Sequence, residues 1–170
     1  MEENSELISK FSHIFIMLHY SIMSNDLKRV KSFLSDEVYN YYQQLIDNNI
    51  KNKEIEMFDE LNVKSIEIME KNDLDDRYQV KVKLTSRYMD YFVDSDTLKY
   101  KRGINDHRIE KQHLLVFEKQ KLNTSTNVIT CPSCGANLNV NSSSVCPYCN
   151  SNIDLTGTSY KLISLQTLSF

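Results

Sequence analysis

Four cysteines carry the clearest chemistry in the chain: Cys131 and Cys134 in C-P-S-C-G, then Cys146 and Cys149 in C-P-Y-C-N, with eleven residues between Cys134 and Cys146. This is the spacing of a four-thiolate zinc cage. Each C-x-x-C presents two sulfurs about 3.5–4 Å apart, which matches the edge of a tetrahedron with Zn–S bonds of about 2.3 Å. Pro132 and Pro147 stiffen the two turns. After the second cysteine of each pair the chain is expected to turn left-handed, at Gly135, which does so freely, and at Asn150, which tolerates it better than most residues. Four protein thiolates leave no open coordination position, so the predicted cofactor is one structural zinc ion per chain. Two disulfides or a redox C-x-x-C are the competing readings. The opening Met-Glu-Glu-Asn-Ser-Glu lacks the basic region of a secretory signal, which favours a reducing cytoplasm over an oxidising compartment. The motif also occurs twice and lies in no βαβ pattern, which counts against redox chemistry.

A second group is electrostatic. Lys99, Lys101, Arg102, His107, Arg108 and Lys111 surround Tyr100 on an otherwise acidic chain of net charge −3. Such a patch suits anionic lipid headgroups or an acidic partner surface, each Lys or Arg contributing about 1 kcal/mol beside a charged membrane. Its ordinary reading is a solvated loop. Nucleic acid is excluded as the partner of the cysteine segment: Cys131 to Asn152 holds no Lys or Arg, and four thiolates around one Zn²⁺ carry a net negative charge. No apolar run approaches the roughly 18–20 residues that cross a bilayer.

The elements that must position these groups follow from periodicity. At 41% hydrophobic residues with three Gly and two Pro, most of the chain is expected to be regular structure. Ser5 to Met23 carries Leu7, Phe11, Phe15, Leu18 and Ile22 at helical spacing. A second helix is expected to be capped by Ser24 or Asn25, with Leu27, Val30, Phe33 and Leu34 on one face. Ser35 caps a third, through Val38, Tyr41, Tyr42, Leu45 and Ile46, with Asp36 and Glu37 at the positive end of its dipole. Lys51-Asn52-Lys53 ends it.

The period then changes from 3.6 to 2. Ile55 to Glu70 is extended, with a bulge near Lys64-Ser65 that reconciles Leu61 and Val63 with Ile66 and Ile68. Asn72 to Asp76 is a turn. Tyr78, Val80, Val82 and Leu84 alternate with polar residues in a half-buried strand that continues to Val93 and must bend or bulge. A loop is expected from Asp94 to Asn105, bearing the basic patch, then a strand from Arg108 to Gln120 and a last one from Tyr160 to Leu168. The cysteine segment therefore interrupts a hairpin. The expected organisation is an α+β domain of residues 1–127 and 155–170, three N-terminal helices against a four-stranded antiparallel sheet, with a zinc-ribbon insertion at 128–154 before the last strand.

Three helices before four antiparallel strands resembles the nuclear-transport-factor-two-like fold, a curved sheet wrapped around helices into a cone with a pocket. Asn25-Asp26-Leu27-Lys28-Arg29-Val30 ahead of Phe33-Leu34-Ser35-Asp36-Glu37-Val38 resembles a helical stretch of the Tim-forty-four-like family. Tyr91-Phe92-Val93-Asp94, Gly103 and Leu115-Val116-Phe117 are similar to that family's middle strands, and the two cysteine pairs to the zinc-ribbon insertion of its bacterial members. Tryptophans common in the family's third and last strands are replaced here by Leu114 to Phe117 and Tyr160-Lys161-Leu162. The family's best-known member, an import subunit of the mitochondrial inner membrane, docks at the membrane and recruits a chaperone motor. The resemblance thus implies a non-catalytic protein- or membrane-docking adaptor, membrane-peripheral if its basic residues meet lipid, with a protein partner.

The cone implied by the resemblance is also where an enzyme site would lie. Tyr42, Tyr88, Asp90 and His113 are the residues able to supply a base and an oxyanion donor there. The alternative function is accordingly a small apolar ligand-binding or enzymatic cone of isomerase or dehydratase type.

Overall fold

Apolar residues three and four apart build the first helix, and the sheet takes up the face they form. In the computed structural model, which describes residues 2–121, 128–131, 133–139, 145–151 and 159–168, helix α1 spans Asn4–Met23 and buries Leu7, Phe11, Ile14, Phe15, Leu18 and Ile22. Glu6 in its first turn lies at the positive end of the helix dipole.

The second expected helix is not formed; the described residues hold two α-helices, not three. Asn25 takes a left-handed backbone, φ 53°, and the chain reverses there instead of starting a helix. The Val30, Phe33 and Leu34 amides bond three residues back, to Leu27, Val30 and Lys31, which leaves a single 3-10 turn at Lys31–Phe33. Spacing of three between Leu27, Val30 and Phe33 fits that tighter turn as well as it fits an α-helix. Leu34 is then drawn out straight. It bridges Leu162 in parallel, and the Ser35 amide donates to the Leu162 carbonyl at 3.0 Å.

Helix α2 spans Asp36–Lys51, its N-terminus capped by the Ser35 hydroxyl, which accepts from the Val38 amide at 3.3 Å. Asn52 ends it, and Lys53 at φ 54° turns the chain into the sheet.

Four antiparallel strands form that sheet: β1 Glu54–Asp73, β2 Arg77–Asp94, β3 Tyr100–Gln120 and, after the cysteine segment, β6 Lys161–Leu168, in the order β1-β2-β3-β6. The β1–β2 register slips at three places, one of them between Val63 and Ser65, where the bulge is expected. The slip lets Leu61, Val63, Ile66 and Ile68 all pack toward the core. Strand β2 buries Val80, Val82, Leu84, Ser86 and Tyr88 at alternate positions, with Thr85 buried on the other face as well, and β3 adds His113, Leu115 and Phe117 opposite the first set. Phe11 of α1 stacks on Phe117 with ring centroids 3.9 Å apart and meets Tyr160 edge-on at 5.3 Å.

The expected Asp94–Asn105 loop is a correction too. Only five residues separate β2 from β3, and Tyr100–Asn105 is strand, paired with Asp90–Val93. Lys-Arg-Gly-Ile-Asn-Asp has the composition of a loop; pairing with β2 overrides it, and Gly103 at φ 104° absorbs the local kink.

Two short strands, β4 Val128–Thr130 and β5 Asn137–Asn139, pair in a sheet of their own. A small separate core joins Cys131, Leu138 and Cys146, with Ala136 against them. Since β3 and β6 are direct neighbours, this segment does interrupt a hairpin. Pro132, the linker at 122–127, most of the 140–145 crossing and 152–158 lie outside the described residues.

Candidate functional site

The two cysteine pairs adopt one geometry twice. In the first, the Gly135 amide donates to the Cys131 carbonyl at 2.9 Å and the Cys131 amide to the Ala136 carbonyl at 2.8 Å. In the second, the Asn150 amide donates to Cys146 and the Cys146 amide to Ser151, both at 2.8 Å. The left-handed residues are Gly135, φ 78°, and Asn150, φ 61°, as expected, so each pair closes a tight turn that aims both thiols inward.

The four ligand atoms lie within 4.8 Å of one another. Cys131 Sγ is 3.6 Å from Cys149 Sγ, and Cys134 Sγ is 3.8 Å from Cys146 Sγ. A tetrahedron with metal–sulfur bonds of about 2.3 Å has edges of about 3.8 Å, so the donor set and its size are compatible with zinc, while the sulfurs are far beyond the roughly 2 Å of a disulfide bond. The thiols do not titrate alike. Cys149 is drawn down to about 6, foremost by the Ser151 hydroxyl, 3.4 Å from its sulfur. Cys134 is pushed up to about 12: the Ala136 amide favours its thiolate, but burial and the three neighbouring sulfurs prevail. Crowded thiolates repel at this range, and a divalent cation between them reverses the sign of the interaction.

Of the residues proposed for a catalytic cone, three come together and one does not. Tyr42 from α2 and Tyr88 and Asp90 from β2 gather around Glu56 of β1, a residue that sequence reasoning missed. Glu56 pairs with Phe92 and Phe58 with Asp90 across the β1–β2 ladder, which makes the two carboxyls diagonal neighbours. Burial, then the hydrogen bond to Asp90, hold Glu56 protonated to about 9. Both tyrosines are raised, first by burial; the Glu56 charge adds to this at Tyr42, and the Asp90 and Glu56 charges at Tyr88. Asp90 Oδ1 is buried without a hydrogen bond.

His113 sits apart, fully engaged. Its Nε2 shares a hydrogen bond with Ser86 Oγ at 2.8 Å and its Nδ1 with Thr167 Oγ1 at 3.0 Å, and burial lowers it to about 4. It is a structural histidine. His19 is likewise lowered to about 4 by burial, its Nδ1 donating to the Phe15 carbonyl. A cavity of about 140 Å³ lies toward the other end of β2, beside Lys119 and Tyr160. None of the four proposed catalytic residues lines it.

The basic patch is partly neutralised: three of its five Lys and Arg side chains meet two carboxylates. Arg102 clamps the buried Glu54 through Nη1 at 2.7 Å and Nη2 at 2.8 Å, Lys101 approaches the same carboxylate at 3.1 Å, and Arg108 lies 3.6 Å from Glu60. The Arg102 bonds foremost hold Glu54 down to about 2. Lys99 and Lys111 have no ion-pair partner among the described residues. Among those residues, too, no helix is long and apolar enough to cross a membrane.

No curated protein matches the chain. The solved intermembrane space region of the chloroplast protein ARC6 is similar over 96% of this chain and 97% of its own, at 6% identity and a TM-score of 0.45. The family model of the Tim44-like domain matches residues 3–128, from the start of α1 through the end of β3 into β4. That span, together with the helices and the antiparallel sheet it folds into, places the assignment expected from Asn25–Val38 and the middle strands on firm ground: the chain belongs to the Tim44-like domain family.

Proposed function

We propose that the chain is a non-catalytic docking adaptor whose α+β domain, residues 1–127 and 155–170, holds a protein partner. The inserted 128–154 segment is then a zinc ribbon bound by Cys131, Cys134, Cys146 and Cys149. Membership of the Tim44-like family over residues 3–128 carries this reading. The four converging sulfurs support zinc as the one structural metal, which sets the arc between the two cysteine pairs, and four unpaired thiols suit a reducing, cytoplasmic setting. With Lys101, Arg102 and Arg108 occupied by Glu54 and Glu60, a protein partner is favoured over a lipid surface. Chelators would leave the docking domain folded.

Photo-crosslinkers placed along β2 and β3 and activated in the native host test the docking role. One discrete protein adduct is expected, and none from any position would overturn the adaptor. Zinc content tests the metal. About one ion per chain is expected, and full occupancy in Cys134→Ser would contradict the four-thiolate cage. Equal recovery on anionic and neutral vesicles would remove the basic strand from the function.

The Glu56–Asp90 pair with its two tyrosines favours one alternative, a cone that binds or turns over a small ligand. Retention of an apolar ligand by the native chain, lost in Asp90→Asn, would support it.

A further inference from the structure

We infer that the cleft between α1 and the β3/β6 edge is the docking site, and that it takes an acidic peptide segment of a partner protein, a carboxylate side chain beside one apolar side chain, where the chain's own Glu2 now sits. The inference rests on the adaptor reading and deepens it. The cleft encloses about 140 Å³ and is lined by Lys10, His13 and Ile14 of α1, Phe33 of the 3-10 turn, Lys119 of β3 and Tyr160.

Its chemistry is divided. Ile14, Phe33 and the Tyr160 ring make an apolar wall, and two ammonium groups stand beside it. Glu2 bridges these two: Oε2 lies 2.6 Å from Lys10 Nζ and Oε1 lies 3.1 Å from Lys119 Nζ. Lys119 also stands 5.7 Å from the Tyr160 ring centre. The molecule therefore already holds one carboxylate on this pair of cations, each oxygen on a separate lysine, presented two residues ahead of α1. The same residue's carbonyl accepts from Lys71 Nζ at 3.3 Å, so it is a short length of peptide, not an isolated side chain, that lies along the lysines.

Size selects the occupant. A cavity of about 150 Å³ accepts a benzene-sized group, so this one seats a single leucine or phenylalanine side chain and is too small for an acyl chain. Lysines select an acid. The Lys10 side chain is 52% accessible and the Lys119 side chain 18%, against 22% for Glu2, so the Lys10 pair is weakly held and is the one an incoming carboxylate displaces first. An incoming peptide replaces what Glu2 gives and adds an apolar group that Glu2 does not place in the wall. Glu2 then acts as an internal competitor that lowers affinity for weak acidic segments.

Fluorescence anisotropy of the full zinc-loaded chain with labelled eight-residue peptides tests this, one set carrying glutamate flanked by phenylalanine or leucine and a matched set carrying glutamine. The glutamate set is expected to bind at least tenfold more tightly. Glu2→Ala should tighten it severalfold, and the Lys10→Glu, Lys119→Glu pair should weaken it at least tenfold while the thermal transition stays near that of the native chain. If the double variant fails to fold, Lys10→Gln alone should still weaken binding severalfold. Equal binding of the glutamine set, no change with Glu2→Ala, or no binding at all overturns the assignment, as does displacement of the peptide by anionic vesicles. The two levels separate in the native host. A crosslinked adduct that survives the lysine reversals leaves the adaptor standing and removes this cleft, whereas no adduct in the native chain removes both.

Discussion

Two glycines with the same backbone sign face opposite surroundings. At Gly103, φ 104°, an added Cβ would lie 2.6 Å from both the Asp90 carbonyl oxygen and Tyr91 Cα, backbone atoms that cannot move aside. At Gly135, φ 78°, no atom of the described residues lies within 4 Å. Gly103→Ala is therefore expected to cost at least about 2 kcal/mol in urea unfolding, strain plus clash, whereas Gly135→Ala costs about 1 kcal/mol, strain alone. The second would appear as a loss in zinc affinity of less than about tenfold. Asn150 already holds a Cβ residue in the equivalent turn at φ 61°.

Three buried titratable residues make stability depend on pH. Glu56 keeps a proton in the fold to about 9, which the unfolded chain loses near 4.5, so from there upward stability falls as pH rises. His19 and His113 stay neutral in the fold down to about 4, while free imidazole binds a proton near 6.5, so stability falls as pH drops below that point. Each group contributes up to about 1.4 kcal/mol per pH unit. Two histidines outweigh one carboxyl on the acid side, so the combined contribution of these three groups is largest near pH 6.5, while the lowered Cys149 thiol adds stability of the opposite slope above about pH 6. The stability of Glu56→Gln relative to the native chain should therefore rise between pH 7 and 9; a difference that stays constant with pH would refute the buried proton. The left-handed turns at Gly135 and Asn150 were legible because a C-x-x-C turn dictates the next residue. Glu56 was not legible, because a glutamate at a strand start looks solvated until the register sets Asp90 diagonally opposite.

Among the elements, legibility followed how local the deciding interaction was. Ser35 ahead of two acids and an apolar stripe announced α2 with its cap, and Ser35→Ala is expected to cost about 1 kcal/mol in thermal or urea unfolding, with the Leu162 carbonyl bond unaffected because the backbone donates it. The alternation of Val80, Val82 and Leu84 announced β2. The misread segments are those decided from a distance: Leu27 to Leu34 keeps its apolar residues buried but is pulled off helical geometry by the pairing of Leu34 with Leu162, and Tyr100 to Asn105 becomes strand only because β2 extends far enough to pair with it. Helix α1 owes its place to the sheet rather than to a side-chain cap, which it lacks. Phe11→Ala, which removes the stack on Phe117, should accordingly cost about 3–5 kcal/mol by urea unfolding; a cost near that of Ser35→Ala would mean that α1 is held mainly by contacts elsewhere.

At the scale of the whole molecule, the question is what the inserted segment does for the sheet it interrupts. About 40 residues separate Gln120 from Lys161, yet the ladder they flank, Gln112–Glu118 against Lys161–Leu168, is formed by its own backbone bonds and by Leu115, Phe117 and Leu162 in the main core. Among its described residues the insertion has a separate core of three buried residues, two of them cysteines, too small to persist without a cross-link. With zinc held by the four thiols as proposed, its removal would open a closed unit into a longer loop between β3 and β6. Closure entropy grows only logarithmically, about 0.6 kcal/mol for each doubling of loop length, so the sheet should lose about 1 kcal/mol or less, a fall in Tm of about 2–4 °C for a chain of this size. Excess chelator should then abolish amide protection over Cys131–Ser151 while β1, β2 and β3 keep theirs. Loss of both together would show the opposite order of dependence, with the metal site nucleating the hairpin and through it the sheet.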